Sequence, residues 1–200
     1  MKKIIITQML NKDNKHKELR DCIDIRLIKF MKNLGYLPIP ISNSVKKLNI
    51  YLKIFKPNGI LLSGGGDPCK KDARSKIENT LINFSKKNNI PLLGICRGAQ
   101  QINKYFNGKQ KKIRHHVRKN HLVKFSHNFF KKSLVNSFHD YGFNKNLISK
   151  QLEIIGISHD NIVEYFSHKK YSISGIMWHP ERNKNIKNLD KKIFHKIFKK

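Results

Sequence analysis

The stretch Pro91-Leu92-Leu93-Gly94-Ile95-Cys96-Arg97-Gly98-Ala99-Gln100-Gln101 decides the fold of this 200-residue chain. It predicts a buried strand, a sharp turn with Cys96 at its apex, and a helix. Such an elbow exposes a nucleophile at the end of a rigid element, and it needs small residues where strand and helix cross, a need that Gly94 and Gly98 meet. The helix N-terminus would favour a thiolate. Taken alone, the stretch also fits a structural cysteine packed between core glycines.

Strands and helices alternate four times up to this elbow. Apolar strands are predicted at 3–7, 36–41, 59–62 and 91–95, with helices at 17–34, 44–55 and 73–88 and a polar loop at 8–16. This alternation indicates a parallel sheet with helices on both faces, an α/β fold. Prolines at 38 and 40 place the second strand at an edge. Ligands of such sheets bind at the carboxyl ends of the strands, where Cys96 falls.

The second half of the chain is less regular. Short strands are predicted at 123–125, 133–138, 153–158 and 162–167, and a last strand at 172–178 ends at His179-Pro180-Glu181. Apolar residues three or four apart in the basic tail, 184–200, indicate a closing amphipathic helix. We expect one domain over residues 1–200.

His179 and Glu181 supply the partners that a cysteine nucleophile needs. Residues two apart in an extended segment face the same side. A carboxylate beside an imidazole fixes its tautomer and supports its positive charge after it takes a proton. Cys96, His179 and Glu181 therefore form a candidate set of nucleophile, base and orienting group.

The glycine run Ser63-Gly64-Gly65-Gly66 follows another predicted strand. Attack on an amide carbon builds charge on the carbonyl oxygen, which backbone N–H donors stabilise best where no side chain intervenes. The N–H of Arg97 is one candidate donor, and the glycine run offers a second. A plain turn or a phosphate cradle are the alternatives, although the run matches neither common nucleotide-binding pattern.

The composition of the chain indicates which partners and which cellular compartment to expect. Forty-two Lys and Arg against 13 Asp and Glu give a net charge of +29, which suits an anionic partner, but the lysines are spread along the chain as in a compositional bias. No aromatic-basic RNA motif is present, so nucleic acid is not the expected partner. Three cysteines without a C-x-x-C pair, and no apolar run long enough for a signal peptide or a membrane span, predict a cytoplasmic protein without membrane contact.

The stretch 109–124 is basic and rich in histidine. His115, His116 and His121 lie in it without a cysteine or carboxylate at ligand spacing, so they are interpreted as surface or substrate-proximal histidines and no metal or cofactor is expected. Of the remaining cysteines, Cys22 is expected in the core and Cys69 is expected to be incidental.

Four motifs together resemble the class I glutamine amidotransferases and the related γ-glutamyl hydrolases. They are Gly59-Ile60-Leu61-Leu62-Ser63-Gly64-Gly65-Gly66-Asp67, Gly94-Ile95-Cys96-Arg97-Gly98-Ala99-Gln100, Val135-Asn136-Ser137-Phe138-His139 and Met177-Trp178-His179-Pro180-Glu181. The resemblance implies a flavodoxin-like sheet and a catalytic triad of Cys96, His179 and Glu181. It also implies oxyanion donors at Gly65 and Arg97, and substrate contacts from Gly64, Gly66, Gln100, Ser137, Phe138 and His139.

The reaction implied by this resemblance is hydrolysis of a γ-glutamyl amide through a Cys96 thioester. Ser63 replaces the usual proline, and Asp140-Tyr141 follow His139 where γ-glutamyl hydrolases often have His and Gln, so the leaving amine stays open. The chain is similar to small hydrolases of γ-glutamyl-CDP-amidate, which makes an anionic, nucleotide-linked substrate the first hypothesis. The alternatives are a γ-glutamyl-polyamine or γ-glutamyl-aminobutyrate hydrolase, a glutaminase chain with a synthetase partner, and an inactive hydrolase fold that binds nucleic acid.

Overall fold

A nine-stranded sheet forms the centre of the described residues, 1–66, 71–126 and 130–198, in a computed structural model. Cys69 lies outside these residues. The strands are β1 (Lys2–Thr7), β2 (Met9–Asp13), β3 (Glu18–Cys22), β4 (Tyr36–Ile41), β5 (Gly59–Leu62), β6 (Leu92–Ile95), β7 (Lys111–Lys112), β8 (Val117–Phe125), β9 (Lys132–Phe138), β10 (Tyr141–Gly142), β11 (Leu152–Ser158), β12 (Val163–His168) and β13 (Ile173–Ile176). The helices are α1 (Ile25–Asn33), α2 (Leu48–Phe55), α3 (Ala73–Asn88), α4 (Arg97–Tyr105) and α5 (Asn188–Phe198), with a short 3-10 helix at Pro180–Arg182.

The sheet has the order β4-β1-β5-β6-β13-β12-β11-β8-β9. Its first five strands pair in parallel, and in chain order they have the 2-1-3-4-5 arrangement of flavodoxin-like sheets. The other four strands extend this sheet in antiparallel fashion. The predicted α/β fold is confirmed, and the proline-containing strand β4 lies at an edge as expected.

Two apolar layers cover the two faces of the sheet. Strand β1 shows why, because its alternate side chains face opposite sides: Ile4 and Ile6 pack in the layer that holds α1 and α5, whereas Ile5 packs in the layer that holds α2, α3 and α4. All three isoleucines are fully buried. The parallel strands are therefore anchored on both sides, and their carboxyl ends are held as a rigid edge.

The helix predicted at 17–34 is wrong over its first part. Residues 9–22 form the β2–β3 hairpin, in which Met9 pairs with Cys22. Helix α1 begins only at Ile25, because the Asp24 side chain accepts the Arg26 N–H and caps it. The helical spacing is misleading at Leu19, which is 67% exposed.

Helix α2 begins at Leu48, four residues later than the predicted start at 44. Ser42, one of the two predicted caps, instead donates its hydroxyl to Asp21 at 2.6 Å, and Lys47 at the helix start makes no side-chain cap. In the second half, β8 is longer than the predicted 123–125 and pairs with β9 as a hairpin at the far edge. Among the described helices, none is both long and apolar enough to cross a membrane.

Candidate active site

Cys96 lies at the elbow between β6 and α4, at the carboxyl edge of the sheet. Its backbone has a positive φ of 49°, the strained conformation expected at the apex of such a turn. An added Cβ at Gly94 would lie 2.5 Å from the Gly98 carbonyl carbon, and one at Gly98 would lie 2.2 Å from the Leu62 oxygen. The two glycines are thus required for strand and helix to pass this closely.

His179 and Glu181 follow β13, the strand beside β6. The Nδ1 atom of His179 lies 2.6 Å from Oε1 of Glu181, and both side chains are buried. Asn136 on β9 fixes the backbone at this point, since its amide accepts the His179 N–H at 2.9 Å and donates to the His179 carbonyl at 2.7 Å. Because Glu181 holds Nδ1, the other imidazole nitrogen is left for Cys96, which lines the same cavity.

Cys96 and His179 shift each other's ionisation. Burial is the largest influence on Cys96 and opposes its ionisation, but the charge and hydrogen bond of His179, together with the Arg97 N–H, outweigh it and lower the pKa of the thiol. Burial also opposes protonation of His179, yet Cys96 and Glu181 raise its pKa to about 9. Both shifts favour a thiolate–imidazolium pair over a neutral thiol beside a neutral imidazole.

The glycine run lies directly against His179. An added Cβ at Gly64 would lie 2.5 Å from Cε1 of His179, so this glycine makes room for the imidazole ring. Gly65 and Gly66 have φ values of 80° and 84°, which favour glycine. The structure therefore brings the run to the expected place, and it shows that Gly64 packs under the imidazole.

A buried ionic network supports this loop. Arg74 donates to the carbonyl oxygens of Ser63 and Gly65, each at 2.6 Å. Its guanidinium is also paired with Glu78 at 2.8 Å, and Glu78 in turn pairs with Arg97. The Arg97 side chain is thus directed into the network, while its backbone N–H remains at the Cys96 sulfur.

The remaining predicted substrate contacts lie on one side of Cys96. Gln100 on α4 and His139 both bond the carbonyl oxygen of Tyr141, at 2.8 and 3.0 Å. Ser137 is fully buried, and its hydroxyl donates to the His116 carbonyl at 2.6 Å. Phe138 contacts the His179 ring edge-on at 5.9 Å between centroids.

Two cavities meet at His179. The smaller, of about 130 Å³, is lined by Gly65, Gly66, Cys96, Arg97, Gln100, Phe138, His139, Asp140, Tyr141, His179 and Arg182. The larger, of about 310 Å³, is lined by Met9, Cys22, Ile23, Asp24, Leu27, Ser63, Gly64, Gly65, His179, Glu181 and Arg182. Gly65, His179 and Arg182 border both, so one small substrate could extend across them.

Comparison with known proteins agrees with this geometry. A family model described as glutamine amidotransferase class-I matches residues 22–200. The chain belongs to the class I glutamine amidotransferase family. The expected family is thereby confirmed, and the family agrees with the expected reaction class, hydrolysis of a γ-glutamyl amide.

Individual amidotransferase relatives cover most of the chain. It is 35% identical over 193 residues, 92% of each chain, to a γ-glutamyl-CDP-amidate hydrolase of Campylobacter jejuni. It is 30% identical over 160 residues, 76% of this chain and 80% of the relative, to a subunit of the glutamine-hydrolysing GMP synthase of Methanococcus vannielii. A Thermoplasma acidophilum crystal structure, of a protein thought to be a GMP synthase subunit, superposes with a TM-score of 0.72 at 22% identity, covering 100% of this chain and 94% of that one. This last likeness concerns the fold.

Several residues of this amidotransferase site escaped the sequence reasoning. Asn136 could have been found, because it lies in the Val135-to-His139 motif and its side-chain amide can bond the backbone of a neighbouring segment. Arg74, Glu78 and Arg182 had no signal in the sequence, because they gain their places only when α3, α4 and the 3-10 helix are folded against the sheet edge. Cys22, expected in the core, is half-buried and borders the larger cavity.

Proposed function

We propose that this chain hydrolyses a γ-glutamyl amide with Cys96 as nucleophile, His179 as acid and base, and Glu181 as the group that orients His179. One observation carries the proposal: Cys96 lines the same cavity as an imidazole that lowers its pKa, and Nδ1 of that imidazole lies 2.6 Å from a buried carboxylate. This arrangement, at a strand-to-helix elbow, fits acyl transfer.

The reaction proceeds in two stages. The Cys96 thiolate attacks the γ-carbonyl carbon, and the oxygen takes up negative charge that the backbone N–H groups of Arg97 and Gly65 stabilise. Imidazolium His179 gives its proton to the departing nitrogen, so the amine leaves and a γ-glutamyl thioester remains. His179 then takes a proton from water, the hydroxide attacks the thioester, and glutamate and the thiolate are released.

Each cavity holds one half of the substrate. The glutamyl half occupies the smaller cavity, which Gln100, Phe138 and His139 line together with Cys96. The departing half occupies the larger cavity beside His179, whose volume of about 310 Å³ is at the lower end of the range for cofactor-sized ligands. Glu181 holds one end of the imidazole and leaves the other directed at the scissile bond.

The preferred substrate is γ-glutamyl-CDP-amidate, hydrolysed to glutamate and cytidine diphosphoramidate. The C. jejuni relative carries this activity in its name and matches 92% of the chain. Arg182 borders both cavities, with its guanidinium 4.3 Å from the centre of the Phe138 ring. A guanidinium at that position suits a pyrophosphate on the departing half.

Glutamate release from a panel of amides tests this proposal. The panel contains γ-glutamyl-CDP-amidate, glutamine, γ-glutamyl-putrescine and γ-glutamyl-aminobutyrate. We expect kcat/KM for the nucleotide substrate to exceed that for glutamine by at least about tenfold, or about 1.4 kcal/mol. Equal or faster hydrolysis of any other member would contradict the substrate assignment.

Two variants test the catalytic assignment separately. Cys96→Ala should lower kcat by about 10⁴-fold or more. His179→Asn should be similarly impaired, whereas His159→Asn, at an exposed histidine, should match the wild type. A folded Cys96→Ala protein that retains activity would overturn the mechanism on every substrate.

A second candidate function is the glutaminase half of a two-chain amidotransferase. The observation in its favour is the 30% identity to the M. vannielii GMP synthase chain over 80% of that relative. It predicts weak hydrolysis of glutamine by the purified chain and a rise of at least about tenfold on adding a synthetase partner. The synthetase component of M. vannielii GMP synthase is the probe, and an unchanged rate counts against this candidate.

A further inference from the structure

A buried cluster of histidines surrounds Glu164 on β12, next to the smaller cavity. Its oxygen Oε1 lies 3.5 Å from Nδ1 of His116, 3.2 Å from Nε2 of His121 and 3.5 Å from Nε2 of His139. Glu164 is fully buried, and the three histidines are nearly so. The cluster therefore places a carboxylate and three imidazoles where water cannot solvate them.

Hydrogen bonds on the far side of two rings fix which nitrogen carries the proton. His116 Nε2 lies 2.8 Å from a carboxylate oxygen of Asp160, and His139 Nδ1 lies 3.0 Å from the Tyr141 carbonyl. A carbonyl or carboxylate oxygen only accepts, so these nitrogens are the donors. In the neutral rings, the nitrogens that face Glu164 then carry lone pairs and point at a negative oxygen.

The atoms that face one another are poorly satisfied, since all three rings meet a single carboxylate oxygen at 3.2 to 3.5 Å. Within the described part of the chain, no partner is found for Nδ1 of His116, either nitrogen of His121, Nε2 of His139 or either oxygen of Glu164. Buried polar atoms left in this state destabilise the folded protein. A cation among them satisfies the atoms that face Glu164, because Nδ1 of His116, Nε2 of His121 and Oε1 of Glu164 can each offer it a lone pair.

We propose that His116, His121 and Glu164 bind a divalent transition-metal ion, with Zn²⁺ as the best fit. One ligand atom from each residue lies within 4.8 Å of the other two. Tetrahedral zinc with bonds of about 2.0–2.1 Å sets its ligand atoms about 3.3 Å apart, and the two nitrogens lie 3.5 and 3.2 Å from Glu164 Oε1. Two imidazoles and one carboxylate are a donor set that favours zinc over calcium or magnesium.

The surroundings have the features of a metal site. Asp160 holds the outer nitrogen of His116, which is the usual way a carboxylate orients a ligating imidazole. His139 approaches the same oxygen of Glu164 from the side of Cys96 and is placed as a further ligand. Protonation of the rings is the competing explanation; the Nδ1 atom of His121 lacks a partner among the described residues in both cases, so metal content decides between them.

The metal would hold the wall of the smaller cavity. Its ligands come from the turn before β8, from β8 itself and from β12. The His116 carbonyl accepts the N–H of His139 at 3.1 Å and the hydroxyl of Ser137 at 2.6 Å. The ion thus fixes the segment that borders Cys96, as a positioning element.

Metal content tests this assignment directly. Untagged protein, purified without chelator, should contain about one zinc per chain by plasma mass spectrometry. After removal of zinc with a chelator, added Co²⁺ should produce the visible absorption bands of a tetrahedral site. Neither measurement depends on activity or on a variant that must fold.

Matched variants locate the ion. His121→Asn and Glu164→Gln should weaken zinc binding by at least about 100-fold, and Asp160→Asn by about 10- to 100-fold. His115→Asn and Glu153→Gln alter exposed neighbours and should bind zinc as the wild type does. Protein that holds no stoichiometric zinc and gives no cobalt spectrum would overturn the proposal, as would equal zinc binding by His121→Asn and His115→Asn.

Discussion

Substitution of Gly64 by alanine tests how closely the site depends on the position of one imidazole. The added Cβ would lie 2.5 Å from Cε1 of His179, whereas carbon atoms in contact are separated by about 3.5 Å or more. The ring must therefore retreat by about 1 Å. Displacement of a catalytic group by that amount costs about 100-fold in rate, or about 2.7 kcal/mol in activation free energy.

The assay is glutamate release under initial-rate conditions, with kcat and KM determined separately. We expect Gly64→Ala to lower kcat by about 100-fold with little change in KM, because the proposed base moves while Gln100, Phe138 and His139 on the other walls of the smaller cavity stay in place. Gly35→Ala is the control for adding a methyl group without a clash: its φ of 84° adds a backbone strain that Gly64→Ala lacks, but nothing lies within 4 Å of the added Cβ. If Gly64→Ala folds and its kcat stays within about twofold of the wild type, the reasoning is refuted.

Three other perturbations have expected outcomes. The first is pH: the pKa of the Cys96 thiol is lowered and that of His179 is raised to about 9. As pH rises, kcat/KM should therefore reach its plateau below the pH at which a free thiol ionises, and it should fall above about pH 9. A profile that still rises above pH 9 excludes the ion pair. Arg182→Ala should raise KM for the nucleotide substrate by about tenfold or more and change KM for glutamine less, and equal changes argue against a pyrophosphate contact. Glu78→Ala removes the carboxylate paired with buried Arg74 and leaves buried Arg97 with Asp72 at 3.9 Å, so it should lower the free energy of unfolding in urea by about 3–5 kcal/mol, whereas exposed Glu153→Ala should change it little.

The elbow was predictable because its signals are local. The strand, turn and helix at 91–101 follow from a run of apolar residues and from two glycines. The glycines are needed because strand and helix cross close to the turn, within a few residues along the chain. The same holds for most strands of the parallel half, whose apolar runs are continuous because both faces are covered. The hairpin at 9–22 was not predictable in this way, since its residues are largely exposed and carry a helical spacing by chance.

By itself, the sequence determined the α/β class, the family and the residues that meet at the carboxyl edge of the sheet. Cys96 and His179-Pro180-Glu181 each end a recognisable strand, and parallel strands deliver such ends to one place. Only the tertiary structure decided which side chains support them. Glu164 lies more than 40 positions from His116 and His121, so no spacing rule joins them, and β12 brings the carboxylate to the imidazoles through the pairing of distant strands. The histidine-rich stretch, which has no carboxylate at ligand spacing along the chain, thereby acquires one in the fold and becomes a candidate metal centre beside the nucleophile.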